Sequence, residues 1–161
     1  MRIMILGAAG FIGTNLTEKI SSANGDVITL VDKDWSALKR LSTLQRDLVN
    51  RKQIKLVMET GFDELLEGQD IIYHLISTTV PTTSNYHIPQ EISDNVELMS
   101  RFLESCVKCG VKRVIFLSSG GTVYGIDHRC PLKEGMETNP INSYGVQKVM
   151  NEKLLYLYQY M

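Results

Sequence analysis

The 161-residue sequence has only three cysteines, almost no net charge and no long apolar run. Each scarcity excludes a class of protein. Cys106, Cys109 and Cys130 are odd in number, so they imply no disulfide framework. Cys106 and Cys109 form a C-x-x-C pair, but inside a helical stretch and without a second pair, which argues against a metal or redox centre. With 17 basic and 18 acidic side chains, a net charge of −1 gives no field for nucleic acid and no acidic block for disorder. Apolar runs such as residues 114–117 are far too short to cross a bilayer. The chain opens on a strand-like pattern instead of a signal-peptide apolar region and cleavage site. It also lacks internal repeats and low-complexity linkers. The expectation is a cytoplasmic protein with neither nucleic-acid nor membrane partner, forming one domain over residues 1–161.

What is present alternates between two periods. Residues 2–6 read as a strand, followed by a helix over 11–23 with Ile12, Leu16 and Ile20 on one stripe, closed by Asn24-Gly25. A strand over 27–31 leads to a longer amphipathic helix marked by Trp35, Leu38, Leu41 and Leu48. A third strand is expected over 54–58, a short helix over 62–67 and a fourth strand over 71–76. After a polar loop from Pro81 to Pro89, a helix over 92–109 carries Val96, Met99, Leu103 and Val107, with Gly110 as its C-cap. A fifth strand over 112–117 and a turn-rich stretch over 125–139 precede Pro140 and a last helix. Strands that are apolar throughout, alternating with helices, imply a doubly wound parallel α/β sheet.

The turn after the first strand is Gly7-Ala8-Ala9-Gly10-Phe11-Ile12-Gly13. In a G-x-x-G-x-x-G between strand and helix, one glycine permits the tight turn and one lets backbone approach a pyrophosphate. The third lets the helix pack close to the strand. Helix-start N–H groups then face the anion. With 12 glycines in the chain, a chance match to this spacing is expected about 0.06 times. Asp32 ends the second strand, 19 residues past Gly13. A carboxylate there accepts both adenosine ribose hydroxyls and repels a 2′-phosphate, which favours NAD over NADP.

Tyr144 and Lys148 stand at i and i+4 on the last helix and share a face. Tyrosine in water is a poor base at neutral pH, but a neighbouring ammonium and an oxidised nicotinamide both favour its phenolate. Tyr144 could then take a proton from a substrate hydroxyl as hydride leaves the same carbon. Alone the pair is weak, since a solvated lysine above a packed tyrosine has the same spacing. The glycine loop is what gives it weight.

With these residues in place, the sequence resembles the extended short-chain dehydrogenase/reductase family, in particular its NAD-dependent nucleotide-sugar epimerases and dehydratases. The matching pieces are GAAGFIG at 7–13, Asp32, YHL at 73–75, Asn95-Val96, VKRVIFLSS at 111–119, TVYG at 122–125 and SYGVQK at 143–148. TVYG followed by Glu134 and Pro140 points to the sugar-nucleotide branch. The resemblance implies a Rossmann-like NAD-binding domain with Gly7, Gly10, Phe11, Ile12 and Gly13 on the pyrophosphate and Asp32 on the ribose. Leu75, Ile76 and Ser77 would line the nicotinamide side, with Asn95 buttressing them and Ser118 beside the cofactor. Lys148 would bond the nicotinamide ribose, and Tyr144 would be the catalytic base. The implied chemistry is transient oxidation of a sugar hydroxyl of a nucleotide-diphosphate sugar. Hydride return to the other face gives an epimer, and elimination before return gives a deoxy-sugar.

Three features depart from the family. The Ser or Thr usual three residues before the valine of VYG is Gly120 here, so Thr122 becomes the candidate hydroxyl donor. The usual adenine-reading aspartate after the third strand is replaced by Glu59-Thr60-Gly61. Family members are also about twice as long, which implies that the C-terminal substrate-binding lobe is absent. Such a truncated sheet would expose apolar surface and invite homodimerisation. Two alternatives remain at this point: a freestanding NAD-binding or redox-sensing module without turnover, and a simple NAD-dependent alcohol or carbonyl oxidoreductase.

Overall fold

The structure, a computed structural model, describes residues 1–21, 25–34 and 49–161. Trp35, Leu38, Leu41 and Leu48, expected on a second long helix, lie outside the described residues, as does Asn24. The chain divides into two compact units. One comprises Met1–Ile76 and Lys108–Leu117, the other Ser77–Val107 and Ser118–Met161.

The first unit is built on five parallel strands: β1 (Arg2–Leu6), β2 (Val27–Asp32), β3 (Val49–Gln53), β4 (Ile71–His74) and β5 (Arg113–Phe116). Their order is β3-β2-β1-β4-β5. This is the Rossmann-like doubly wound sheet that the alternating pattern implies. Strand β1 is central, with Ile3 aligned on Ile28 and on Ile71, and Met4, Ile5 and Leu6 fully buried. Helix α1 (Phe11–Ser21) packs on β1. Its Leu16 and Ile20 close over Ile5, Ala8, Ile28, Leu30 and Val49. A short helix α2 (Phe62–Leu66) buries Phe62, Leu65 and Leu66. The chain winds from β1 to β2 and β3 on one side, then to β4 and β5 on the other. The carboxyl ends of β1 and β4 therefore lie side by side at the point where the winding reverses.

The third strand differs from expectation. It is the polar Val49–Gln53 and not 54–58. Among the described residues strand β3 is the last in the sheet and pairs only with β2, so one buried residue, Val49, suffices. The ladder runs out when the Ile54 N–H donates to the carbonyl of Asp32, where β2 ends. Among the described residues, the apolar positions after it have no strand beside them to pair with.

The second unit is helical. Helix α3 (Ile88–Ile92), a π-helical turn (Ser93–Glu97) and helix α4 (Leu98–Lys108) follow one another without a break. The run begins four residues before the expected 92 because Pro89 sits in its first turn, where a missing N–H costs nothing. Val96, Met99 and Leu103 are buried as expected, but Cys106 takes the next inward position and Val107 is 42% exposed. Gly110, at φ +67°, ends the run as the sequence implied. Helix α5 (Ser143–Tyr158) is capped by Asn142, whose side chain accepts the Gly145 N–H at 2.8 Å.

Candidate active site

In the sheet unit the glycine loop leaves β1 and turns at once. Gly7 has φ +82°, and its N–H donates to the carbonyl of Val31 at 2.9 Å. A side chain at Gly7 would press on the Leu75 backbone and on Ile76 at 3.2–3.3 Å, so the loop lies against the segment leaving β4. A Cβ at Gly13 would lie 2.7 Å from Ala8 Cα and closer still to the Gly7 carbonyl oxygen. Only glycine lets the first turn of α1 sit on its own loop. That turn has N–H groups without intrahelical partners, directed where an anion is favoured. Phe11 and Ile12 are exposed there. The crevice beside the β1 and β4 ends is the place where doubly wound sheets take ligands.

Asp32 closes one side of this arrangement. Its Oδ2 accepts the Ala9 N–H at 2.9 Å and its Oδ1 the Asp34 N–H at 3.1 Å. Each carboxylate oxygen accepts more than one hydrogen bond, so both keep capacity for a ribose hydroxyl. The glycine cradle and the held carboxylate together fit a dinucleotide. The structure brings together Gly7, Gly10, Phe11, Ile12, Gly13, Asp32, Leu75 and Ile76 within this unit.

The helical unit carries the other candidates. Lys148 is buried, and its Nζ lies 5.5 Å from the centre of the Tyr144 ring. Burial lowers the pKa of Lys148 from the ordinary lysine value. That shift disfavours the ammonium, and its place beside the Tyr144 ring is set by the shared helix face. The loop before α5 reaches its first turn closely: a Cβ on Gly145 would meet the Thr122 carbonyl oxygen at 2.9 Å. The Oγ1 of Thr122 is buried without a hydrogen-bond partner among the described residues. Gly120 has open space where a side chain would begin, so nothing in the packing demands glycine there.

Asn95 lies in the π turn, and its side chain accepts the Thr78 N–H at 3.0 Å. It donates to Thr78 Oγ1 and to the Glu91 carbonyl, each at 2.8 Å. Ser77, the neighbour of Thr78, donates from its Oγ to the Thr79 carbonyl at 2.9 Å. Ser118 donates to Glu152 on α5.

Sequence reasoning missed a buried network behind α5. The carboxylate of Glu91 accepts from Ser143 Oγ and from Gln147 Nε2, and Gln147 Oε1 accepts from Thr79 Oγ1. The hydrogen bond from Ser143, first among the causes, keeps the Glu91 pKa below its ordinary value. Partners 52 and 56 residues apart leave no local pattern to read.

The sequence matches the profile of the NAD dependent epimerase/dehydratase family over residues 3–160. The chain belongs to that family. It is 30% identical over 165 residues to a UDP-glucose 4-epimerase of Mycolicibacterium smegmatis, covering 99% of this chain and 51% of that protein. It is also similar to the UDP-glucose 4-epimerase of Thermotoga maritima solved with UDP-glucose, at a TM-score of 0.83 and 25% identity. That match covers 99% of this chain and 52% of the other. A second similar structure is MoeE5 in complex with UDP-glucose and NAD, at a TM-score of 0.79 and 26% identity over 98% of this chain and 49% of the other. The chain spans about half the length of these relatives.

Proposed function

We propose that this chain is the NAD-binding portion of a nucleotide-sugar epimerase or dehydratase, with residues 1–161 as its dinucleotide-binding domain. The observation that carries it is the buried Lys148 cation held 5.5 Å from the Tyr144 ring, in a chain that also has a glycine cradle and Asp32. Further support comes from the family itself and from the UDP-sugar-binding relatives named above. Gly7, Gly10 and Gly13 with the N–H groups of Phe11 and Ile12 would hold the pyrophosphate, and Asp32 would hold the ribose. Leu75, Ile76 and Ser77 would flank the nicotinamide, Asn95 would buttress Ser77 through Thr78, and Ser118 would lie by the cofactor. Bound NAD would accept a hydride from the sugar carbon and return it.

Tyr144 takes the proton from the sugar hydroxyl, and Lys148 stabilises the phenolate and bonds the nicotinamide ribose. Thr122 donates a hydrogen bond from its hydroxyl to the reacting sugar oxygen, in place of the residue missing at Gly120, and keeps its proton. The buried, unpartnered state of its Oγ1 supports that role. Two copies pair through α5, where Val146, Met150 and Leu157 remain 38–55% exposed. Gel filtration with light scattering reads that directly.

The test is Tyr144→Phe in the protein supplied with NAD and a UDP-sugar. Removing a general base costs roughly 10²–10⁴-fold in turnover, while NAD affinity should stay within about twofold, because the phenol contributes little to ground-state binding. Undiminished turnover would remove Tyr144 as the base.

A further inference from the structure

The residues that precede Tyr144 and Lys148 are Ser143 and Gln147, and both are gripped from outside their helix. Glu91 on α3 accepts Ser143 Oγ and Gln147 Nε2 on one carboxylate oxygen, the second at 3.1 Å. Its other oxygen faces the His87 N–H at 3.4 Å. Gln147 Nε2 also donates to Ser143 Oγ at 2.7 Å, and Gln147 Oε1 accepts from Thr79 Oγ1 at 3.2 Å. The amide is held this way round, because a flip would set its oxygen against the Glu91 carboxylate. Thr79, Glu91, Ser143 and Gln147 are all buried, and all lie in the helical unit. Asn85 adds a hold on the backbone: at φ +83° it sets its Oδ1 on the Ser143 N–H at 2.7 Å. Buried polar networks whose members are satisfied make a structure rigid and single-valued.

Ser143 and Gln147 stand at i and i+4, and Tyr144 and Lys148 repeat that spacing one residue on. Successive residues are about 100° apart around a helix. Fixing the first stripe therefore fixes the direction in which the second one points. We propose that Glu91 is a positioning residue, which through Ser143 and Gln147 sets the rotation of α5 and so the place of the Tyr144 phenol. The proposal rests on Tyr144 and Lys148 being the reacting pair. Misplacing a reacting group by about 1 Å can cost about 10²-fold in rate, so a grip one residue away from each member matters to the chemistry. A carboxylate suits the task, since it brings two acceptor oxygens and no donor to a site where N–H and O–H groups arrive from both sides. A glutamine of the same shape has one acceptor oxygen. Its NH2 would meet either the Ser143–Gln147 pair or the His87 N–H with hydrogen against hydrogen.

The experiment is NMR of the 161-residue chain carrying ¹³Cζ-labelled tyrosine, with Tyr144→Phe to assign the Tyr144 signal. Glu91→Gln removes one acceptor and the charge. Thr79→Val frees the Gln147 amide from 68 residues away in sequence and removes no charge. Each should move the Tyr144 signal from its position in the unaltered chain and broaden it, while Tyr73 on β4 keeps its own. Leu66→Ala, a core substitution in the sheet unit, supplies a loss of melting temperature that should leave the Tyr144 signal in place. A purely structural role for Glu91 would behave in the same way as Leu66→Ala and would overturn the proposal. So would a shift in Glu91→Gln alone, since that reads the lost charge and not a moved ring. Should Glu91→Gln fail to fold, Thr79→Val decides by itself. Turnover that survives Tyr144→Phe would remove Tyr144 as the base and leave these shifts as they are. An unmoved Tyr144 signal would remove the role of Glu91 and leave the base intact.

Discussion

A methyl group at residue 13 would lie 2.7 Å from Ala8 Cα and 2.9 Å from Ala8 C, against backbone that cannot step aside. Gly13→Ala should therefore push α1 off the glycine loop. Overpacking of this kind costs about 1–3 kcal/mol, and NAD binding measured by calorimetry should be lost even where the variant still melts cooperatively. Lys148 gives a prediction of opposite sense. Its folded pKa is depressed, so between that value and the unfolded one of about 10.4 the unfolded chain binds more protons. Stability from this group rises with pH through that window, and below it the full cost of the buried ammonium is present. Lys148→Met should melt higher than the unaltered protein near neutral pH. Thermal melts at increasing pH should show the gap narrowing, with turnover lost throughout. At this scale the glycines, Asp32, Tyr144 and Lys148 were legible because each motif lies within a few residues of chain. Glu91 was not, because its meaning comes from partners more than 50 residues away.

Among the elements, α5 depends visibly on its first turn. Asn142 caps it, Ser143 is bonded through its N–H to Asn85 Oδ1 at 2.7 Å, and Glu91 holds Ser143 and Gln147 from behind. Asn142→Ala should cost about 1 kcal/mol, as loss of an N-cap does. For a chain of this size that is a fall of roughly 2–4 °C in melting temperature, measurable by calorimetry. The elements also show where period-reading fails. The 96, 99, 103 spacing was right, but the next inward residue is Cys106, three positions on instead of four, just after the π turn at Ser93–Glu97. Strand β3 was misplaced because an edge strand needs little apolar character. Its Asn50, Arg51, Lys52 and Gln53 are all exposed, and only the ladder to β2 identifies it.

For the whole molecule, the alternation of apolar strands and helices was enough to read the doubly wound sheet, because buried parallel strands carry their signal in composition alone. The strand order, with β1 and β4 adjacent, is not written in any local segment. It comes from which crossovers go left and which go right. That order puts the glycine loop against the segment leaving β4, and no residue pattern announces it. Among the described residues, no helix is long and apolar enough to cross a membrane. The chain spans about half the length of its relatives. Dinucleotide binding can be read on this chain alone. The most direct measurement is therefore calorimetric titration of the 161-residue chain with NAD and, separately, with NADP. If Asp32 takes the ribose as proposed, NAD should bind and NADP should bind at least about tenfold more weakly. Equal or tighter binding of NADP, or no binding of either, would contradict the account.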